Sequence, residues 1–273
     1  MSDDKPAGPS LADAYHRGLQ QHADGDIDAA VSSFKEALAL DPEDHGGLAM
    51  RLAVMGHGPE QTGLPPAHVA ALFGQAAETF DDLLVGKLGY HVPKLVRDRI
   101  EALGLGPWER MLDLGCGTGL MGATIPDLTK HITGVDLARE MLEKSNARQV
   151  YDALYQGDAV GFLKEGPEPF YDLVTATDVL PYIGALDGFF QGITRSLLPG
   201  GVLILSSETL PEDELNGRAL VAGKRFRFHH DPDYLTDQMN GAGLDVIEIE
   251  PITVRQDEGV PLPGHLTIGR RRG

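Results

Sequence analysis

A glycine-rich stretch in the middle of the chain combines a carboxylate with closely spaced glycines, a pattern that suits the binding of a nucleotide-like ligand. Residues 111–119 read Met-Leu-Asp-Leu-Gly-Cys-Gly-Thr-Gly. The apolar residues before the glycines predict a strand, and those after them predict a helix. Gly115, Gly117 and Gly119 then allow a tight turn in which the backbone can approach a ligand at the helix N-terminus.

The spacing of these glycines separates the classes of nucleotide site. A dinucleotide-binding loop reads G-x-G-x-x-G/A, but Leu120 stands at the third required position. A phosphate-binding loop needs a lysine directly after its last glycine, and the first lysine after Gly119 is Lys130. The spacing therefore disfavours a nicotinamide oxidoreductase and excludes an NTPase of the phosphate-loop type.

Two further aspartates follow the next two predicted strands. Asp136 ends the apolar run that follows the glycine loop, where a carboxylate can accept both hydroxyls of a ribose. Asp158 lies between Gly157 and Ala159, where it could accept from an adenine amine. Either aspartate alone could equally be a helix N-cap. Acidic residues at successive strand ends, together with the glycine loop, favour a site for an adenosine moiety.

The elements that must position these residues alternate between strand and helix. Predicted strands cover residues 110–114, 131–136, 153–156, 171–177 and 201–206, with helices over 119–125, 139–148, 159–164 and 186–198. This alternation predicts an α/β fold with a parallel sheet covered on both faces. A helix over 232–241 precedes two strands, 245–254 and 265–270, which have no helix between them and predict an antiparallel hairpin at one sheet edge.

From about Leu105 to Gly273 the chain resembles the class I S-adenosylmethionine-dependent methyltransferases. Residues 113–119 resemble the first motif of that family, Asp136 its ribose-binding acid and Asp158 its adenine contact. Residues 172–180 and 198–203 resemble its motifs at the fourth strand and before the fifth strand. The resemblance implies a Rossmann-like fold, with a mostly parallel seven-stranded sheet that ends in an antiparallel C-terminal hairpin.

The resemblance also implies that S-adenosylmethionine is the cofactor and that no metal is needed. The residues expected to bind the cofactor are Asp113, Gly115, Cys116, Gly117, Gly119, Asp136, Leu137, Met141, Gly157, Asp158, Ala159, Thr177 and Phe80. We expect the side chain of Cys116 to be structural, because it lies inside the cofactor loop.

Methyl transfer is an in-line displacement that mostly requires alignment of the reacting atoms at roughly 3 to 3.5 Å. A general base helps only where the nucleophile arrives protonated. The candidates are Asp178, Tyr182, His229 and His230. The run Lys224–Asp231, predicted to be a loop before the last helix, is the one cationic patch of the sequence and could hold an anionic substrate. The alternative is an exposed loop whose Asp231 caps that helix.

The part of the chain before Leu105 divides into three segments. Residues 1–10 are predicted to be a disordered tail, and residues 11–58 a helical hairpin that resembles one tetratricopeptide repeat, in which Phe34 fills the space between two helices. An ordinary helical hairpin is the alternative. Residues 59–104 are predicted to be a linker and lid helices over 67–84 and 89–103, with Phe73, Phe80 and Tyr90 above the pocket. The whole layout resembles bacterial predicted methyltransferases with a tetratricopeptide repeat.

Composition limits the partners and the location. A formal net charge of −18 repels nucleic acid and anionic membranes, and no segment approaches the roughly 20 apolar residues that span a bilayer. A single cysteine, Cys116, suits the reducing cytoplasm, where we expect the protein.

Several acceptors and one non-enzymatic role remain open. Residues 177–180 lack the Asn/Asp-Pro-Pro-aromatic turn associated with methylation of base amines. The preferred acceptor is an oxygen or nitrogen of a small molecule. The alternatives are a protein recruited through the tetratricopeptide-like N-terminus, and a non-catalytic adaptor that binds S-adenosylmethionine.

Overall fold

The structure, a computed structural model, describes residues 10–166, 169–223 and 225–273. All but the last residue of the tail predicted over 1–10 therefore lies outside the described residues. The chain divides into two compact units, Met1–Val69 and Ala70–Gly273. Among the described residues, no helix combines the length and the apolar character that a membrane span requires.

The first unit contains a helical hairpin, α1 (Leu11–Ala23) and α2 (Ile27–Leu40), followed by α3 (Leu48–Val54). Ser10 and Asp13 form a capping box that fixes the start of α1. Phe34 is completely buried, and a Cβ added to Gly18 would lie 2.6 Å from its ring. The absence of a side chain at Gly18 thus lets the two helices approach. A helical hairpin is present as expected, and its identity as a tetratricopeptide repeat stays a prediction.

The region predicted to form lid helices consists of three segments. Helix α4 covers Pro66–Ala76, a π-helical turn covers Asp82–Lys87, and α5 covers Val92–Leu103. The prediction of one continuous helix over 67–84 is wrong, because a turn at residues 77–79 interrupts it. After this turn, Asp81 accepts hydrogen bonds from Thr118 and Arg148. These tertiary contacts, and not the amphipathic pattern, determine the backbone conformation there.

A seven-stranded sheet forms the centre of the second unit. Its strands are β1 (Trp108–Leu114), β2 (Thr129–Asp136), β3 (Ala153–Gln156), β4 (Tyr171–Ala176), β5 (Leu197–Glu208), β8 (Leu244–Asp257) and β9 (Val260–Arg271). Their order is β3-β2-β1-β4-β5-β9-β8. The first five strands run parallel, whereas β9 is antiparallel to both of its neighbours. The predicted α/β, Rossmann-like architecture with an antiparallel C-terminal hairpin is confirmed.

Helices follow the strands, and apolar residues fill both faces of the sheet. The helices are α6 (Leu120–Thr124), α7 (Arg139–Ala147), α8 (Ala159–Glu165), α9 (Asp187–Ser196), α10 (Glu212–Leu215) and α11 (Pro232–Gly241), with a 3₁₀ turn at Leu180–Tyr182. Successive residues of one strand enter different cores. Leu112 packs in one core with Phe189, and Met111 packs in the other with Trp108. Burial of both faces explains why these strands read as continuous apolar runs.

Two features of the fold were not expected. A small antiparallel sheet joins β6 (Leu220–Ala222) to β7 (Phe228–His230), so the prediction of a loop over this part of Lys224–Asp231 is wrong. The strands are too short to give a periodic pattern, and burial of Phe228 and His230 holds them. In addition, the register of β8 against β9 shifts between Thr253 and Arg255, which is a β-bulge.

Candidate active site

The glycine loop connects β1 to α6 at the carboxyl end of the parallel strands. Gly115, Gly117 and Gly119 have φ values of 64°, 55° and 89°. A Cβ added to Gly115 would lie 2.4 Å from Cγ2 of Val179, so no other residue fits there without movement. Beside Gly117 the space is open, since the nearest atom to an added Cβ would be the Gly115 carbonyl oxygen at 4.0 Å. The loop therefore forms a concave backbone surface.

Asp136 lies directly beside this loop, because Leu114 and Val135 are paired in the parallel register of β1 and β2. Its Oδ2 accepts from the Gly117 N–H at 2.9 Å and its Oδ1 from the Ala138 N–H at 2.8 Å. Burial raises the pKa of Asp136, and these two backbone donors act in the opposite direction. Each oxygen keeps a lone pair for a further donor, such as a sugar hydroxyl.

Asp113, predicted to bind the cofactor, is buried beneath the loop instead of facing a ligand. Its side chain accepts from Tyr151 Oη and Thr175 Oγ1, both at 2.7 Å. Burial raises the pKa of this carboxyl to about 6. The prediction of a direct cofactor contact by Asp113 is therefore corrected to a supporting role, because both carboxylate oxygens already have protein donors.

Tyr151 was missed by sequence reasoning. A Cβ added to Gly119, Gly122 or Gly134 would lie between 2.7 and 3.0 Å from its ring, so the ring packs against three glycines around the loop. Its Oη also accepts from the Gly122 N–H at 3.2 Å. No sequence motif includes this aromatic residue just before β3. Only the glycines that leave room for its ring could have indicated its role.

The side chain of Cys116 is buried under the same loop. Its Sγ lies 3.9 Å from Ser145 Oγ and would be 2.9 Å from a Cβ at Gly134. Burial raises the pKa of the thiol, so it is held in the neutral form. This placement is consistent with the structural role expected for the side chain.

At the end of β3, Asp158 acts as the N-cap of α8, because its Oδ1 accepts from the Gly161 N–H at 2.7 Å. The capping alternative raised from the sequence is thus observed. Beside it, a Cβ added to Gly157 would have no atom within 4 Å, so this edge is also open. Ala159 begins the helix.

An aromatic and aliphatic group borders the loop after β2. Phe80 packs with Ala138 and Met141, which lie two and five positions beyond Asp136 at the start of α7. Phe73 contacts Phe80 edge to face at 5.8 Å between ring centroids and contacts Tyr182 at 5.2 Å. The carbonyl of Leu137 accepts from Gln156 at 3.2 Å. The candidate residues Phe80, Leu137 and Met141 therefore surround the end of β2.

The segment that contains Phe80 is fastened to the glycine loop. Asp81 accepts from Thr118 Oγ1 at 2.5 Å and from the Arg148 guanidinium. Arg148 also donates from Nε to the Thr118 carbonyl oxygen at 2.6 Å. We call Asp81, Thr118 and Arg148 the latch. Sequence reasoning missed it because its three members are far apart in the chain.

A second polar group lies beyond the ends of β4 and β5. Asp178, Glu208, Arg227 and Arg255, which we call the four-charge cluster, are all largely buried. Arg227 donates from Nη2 to Asp178 at 2.8 Å, from Nε to Glu208 Oε2 at 2.9 Å and from Nη1 to Tyr182 Oη. Arg255 donates from Nη1 to Glu208 Oε1 at 2.7 Å and lies 3.5 Å from Asp178 Oδ2.

The acids of the cluster differ in pKa. Burial raises the pKa of Asp178, against the influence of Arg227. For Glu208, burial is outweighed by Arg227 and Arg255, which together lower its pKa. Burial raises the pKa of Tyr182 to about 12. Asp178 is thus the acid of the cluster that more readily takes up a proton.

Asp178 is held in a defined conformation next to the glycine loop. Its φ of 60° is left-handed, and its N–H donates to Ser206 Oγ at 2.8 Å. The following residue, Val179, is the one that packs against Gly115. The preceding residue, Thr177, hydrogen-bonds to Tyr90, whose pKa is raised by burial and by the charge of Asp178. Asp178 and the candidate cofactor residues therefore share one edge of the sheet.

The two histidines do not join this group. His230 is completely buried, its Nε2 donates to the Gly184 carbonyl oxygen at 3.1 Å, and burial lowers its pKa to about 4. His229 packs against Gly223, where an added Cβ would lie 2.4 Å from Nε2, and burial lowers its pKa as well. We therefore remove His230 from the candidate bases, because its Nε2 is engaged by the Gly184 carbonyl, whereas His229, which lies near Glu208 and Arg227, stays a prediction.

The arginines of the predicted cationic patch are not free. Arg225 pairs with Asp257 and Glu258 at 2.6 and 2.7 Å, and Arg227 belongs to the four-charge cluster. Lys224 lies outside the described residues. Asp231 caps α11 by accepting from the Asp233 N–H at 2.9 Å, as in the alternative reading of this run. The prediction that this run holds an anion is not retained, because neither described arginine keeps a guanidinium edge with two unused nitrogens.

Comparison with known proteins is consistent with this architecture. Residues 112–203 match the family described as "Methyltransferase domain". The chain is 26% identical over 160 residues to a ubiquinone biosynthesis O-methyltransferase of Burkholderia ambifaria, covering 53% of this chain and 68% of that protein. It is 29% identical over 163 residues to a malonyl-[acyl-carrier protein] O-methyltransferase of Enterobacter lignolyticus, covering 58% and 62% of the two chains.

Solved structures share the fold at low sequence identity. The N-methyltransferase NodS from Bradyrhizobium japonicum, in complex with S-adenosyl-L-homocysteine, gives a TM-score of 0.57 at 14% identity, covering 75% of this chain and 99% of that one. An S-adenosylmethionine-dependent methyltransferase from Clostridium acetobutylicum gives 0.54 at 16% identity, covering 74% and 100%.

Proposed function

We propose that this chain, which is a class I S-adenosylmethionine-dependent methyltransferase, transfers a methyl group to an oxygen or nitrogen atom of a small molecule. The names of its relatives favour oxygen, since those of the two compared in sequence describe O-methyltransferases. Both relatives are below 30% identity, so their names alone do not assign the acceptor of this chain.

S-adenosylmethionine, when bound, supplies a methyl group on a positively charged sulfur. The open backbone surface at Gly117 fits the approach of such a ligand, because nothing occupies the space that a Cβ would take. Asp136 would accept the ribose hydroxyls with the lone pairs that Gly117 and Ala138 leave available. Asp158 would contact the adenine through Oδ2, since capping of α8 uses Oδ1. Phe80 and Met141 would flank the adenosine.

Asp178 is the residue that we propose to act on the acceptor. The observation that carries this proposal is its position, a largely buried carboxylate immediately beyond β4 whose neighbour Val179 packs on the glycine loop. Burial raises its pKa, which makes it a better proton acceptor than an exposed aspartate. It would take the proton of an acceptor hydroxyl or ammonium, while Tyr182 and Phe73 border the acceptor.

Isothermal calorimetry separates cofactor binding from catalysis. Wild-type protein should bind S-adenosylmethionine with micromolar affinity, and Asp136→Ala should bind it at least about 10-fold more weakly because the ribose loses its acceptor. Asp178→Asn should keep the affinity but lose methyl incorporation when a metabolite extract is screened with S-adenosylmethionine radiolabelled on its methyl group. Equal binding by wild type and Asp136→Ala would defeat the proposed cofactor site.

A protein-bound acceptor is the second candidate, because one relative is named for an acyl-carrier protein. The first unit has its own buried core around Phe34, which suits a separate recruiting role. Removal of residues 1–58 should then abolish methylation of the carrier-linked substrate and leave the affinity for S-adenosylmethionine unchanged. Turnover that survives this deletion would rule out recruitment through the first unit.

A further inference from the structure

We infer that the methyl acceptor carries a carboxylate and that Arg255 binds this group through the donors that the four-charge cluster leaves unused. The inference rests on the proposed function and adds a substrate class to it. Arg255 lies on β8, outside every motif that the sequence offered. It would determine specificity by holding one end of the acceptor.

The two arginines of the cluster use their donors very differently. Arg227 donates hydrogen bonds from Nε, Nη1 and Nη2 to Glu208, Tyr182 and Asp178, respectively. Arg255 uses Nη1 alone, on Glu208. Within the part of the chain that the structure describes, its Nε and Nη2 donate no hydrogen bond. Nε and Nη2 form one edge of the guanidinium, the edge that binds a carboxylate through two parallel hydrogen bonds.

Glu208 fixes the orientation of that edge. Its side chain is fully buried and accepts from Arg255 Nη1 at 2.7 Å and from Arg227 Nε at 2.9 Å. The guanidinium of Arg255 is therefore anchored at one nitrogen, which reduces the entropy lost when a ligand binds the opposite edge. Buried ion pairs are seldom justified by stability alone, because desolvation offsets much of their attraction. A pre-oriented arginine with two free nitrogens suits ligand recognition better than a purely structural pair.

The position of Arg255 matches the acceptor end of the proposed site. Its Nη1 lies 3.5 Å from Asp178 Oδ2, so a carboxylate on the free edge would place the rest of the acceptor near the proposed base. Two arginines and two acids make the cluster formally neutral, whereas the whole chain carries −18. An anionic group therefore meets less repulsion here than a chain of this net charge would otherwise give, and its direct neighbour would be the guanidinium of Arg255.

Matched acids and amides test this inference. Full-length protein saturated with S-adenosylhomocysteine is titrated with pairs such as 4-hydroxybenzoate and 4-hydroxybenzamide, and malonate monomethyl ester and its amide. Ligand-observed NMR measures the affinities. Acids of at least one pair should bind about 10- to 100-fold more tightly than their amides, because a bidentate charge-assisted contact has that effect on affinity. In Arg255→Met the preference should fall to within about 2-fold.

Two variants keep the test decisive. Arg225→Met removes an exposed arginine that pairs outside the cluster, and it should retain the preference for acids. If Arg255→Met fails to fold because Glu208 loses a partner, the double variant Glu208→Gln/Arg255→Met removes both charges and takes its place. The inference is overturned if no acid binds wild type more tightly than its amide, or if the preference survives without Arg255. Calorimetry with S-adenosylmethionine runs in parallel, because its failure would instead overturn the proposed function.

Discussion

The cofactor side of the site consists mainly of backbone, whereas the acceptor side consists mainly of side chains. Around Gly115 and Asp136 the surface is mostly backbone, and its contacts come from residues close in sequence to two strand ends. The four-charge cluster consists of side chains from distant elements, such as Arg227 and Asp178, which are 49 positions apart. A backbone surface requires glycine at fixed positions and can therefore be predicted from a sequence. A side-chain cluster becomes visible only when the fold brings its members together.

If the acceptor side depends on buried charge, neutralising Glu208 should have the largest effect on stability. Glu208→Gln leaves Arg227 and Arg255 with a neutral partner in a buried setting, and about 3 to 5 kcal/mol of unfolding free energy should be lost. Denaturant titration measures this loss. Asp245→Asn breaks the exposed pair with Arg272 and should cost about 0 to 1 kcal/mol. Similar losses in the two variants would contradict our view of the cluster.

If the cofactor side depends on backbone shape, Gly115→Ala should damage it by sterics alone. The new Cβ would lie 2.4 Å from Val179 at a φ of 64°, and we expect a loss of about 2 to 3 kcal/mol in stability. Affinity for S-adenosylmethionine should fall with it, as calorimetry can measure. Gly241→Ala is the matched control, because its Cβ would have no atom within 4 Å. Normal cofactor affinity in Gly115→Ala would show that the loop tolerates a different shape.

The buried acid beneath the loop should give the chain a distinctive pH dependence. The pKa of Asp113 is raised to about 6 from a usual value of 3.8, so the folded state binds a proton at a pH where the unfolded chain does not. Asp113 therefore lowers the unfolding free energy as pH rises from about 4 to 6. Asp113→Asn should remove this contribution to the pH dependence. The difference in unfolding free energy between wild type and Asp113→Asn should therefore change between pH 4 and pH 6. A constant difference from pH 4 to pH 6 would mean that Asp113 does not titrate there.

The latch should have the smallest effect, because Asp81 and Arg148 are partly exposed. Asp81→Asn weakens the bonds to Thr118 and Arg148, and the dissociation rate of S-adenosylmethionine should rise roughly 3- to 10-fold with little change in stability. Stopped-flow displacement measures this rate. Glu78→Gln, which breaks an exposed pair with Lys144, is the control and should leave the rate unchanged. An unchanged rate in Asp81→Asn would show that the latch does not restrain the cofactor.

The sequence predicted the elements of the sheet well and the acceptor side poorly. Strand β3 and helix α11 have the predicted bounds, because a short run that stops at Gly157 and a Pro-initiated helix are local signals. The turn after Ala76 and the strand β7 were missed, since tertiary contacts of Asp81 and Phe228 decide them. Asp178 was named from its motif, whereas Arg255 carries no motif and is brought to Asp178 only by the pairing of β8 with β9.

The β-bulge before Arg255 has a consequence for how the acceptor side could change. One extra residue in β8 between Thr253 and Arg255 shifts which side chains point to each face of the sheet from there to the end of the strand. Val254 and Arg255 consequently both face the side of Ile204 and Glu208. Removing a single residue at this point would leave room for only one of these two side chains, without altering the strand order. Relatives that differ by one residue in the length of β8 should therefore differ in the acceptors they select, even where every glycine of the loop is identical.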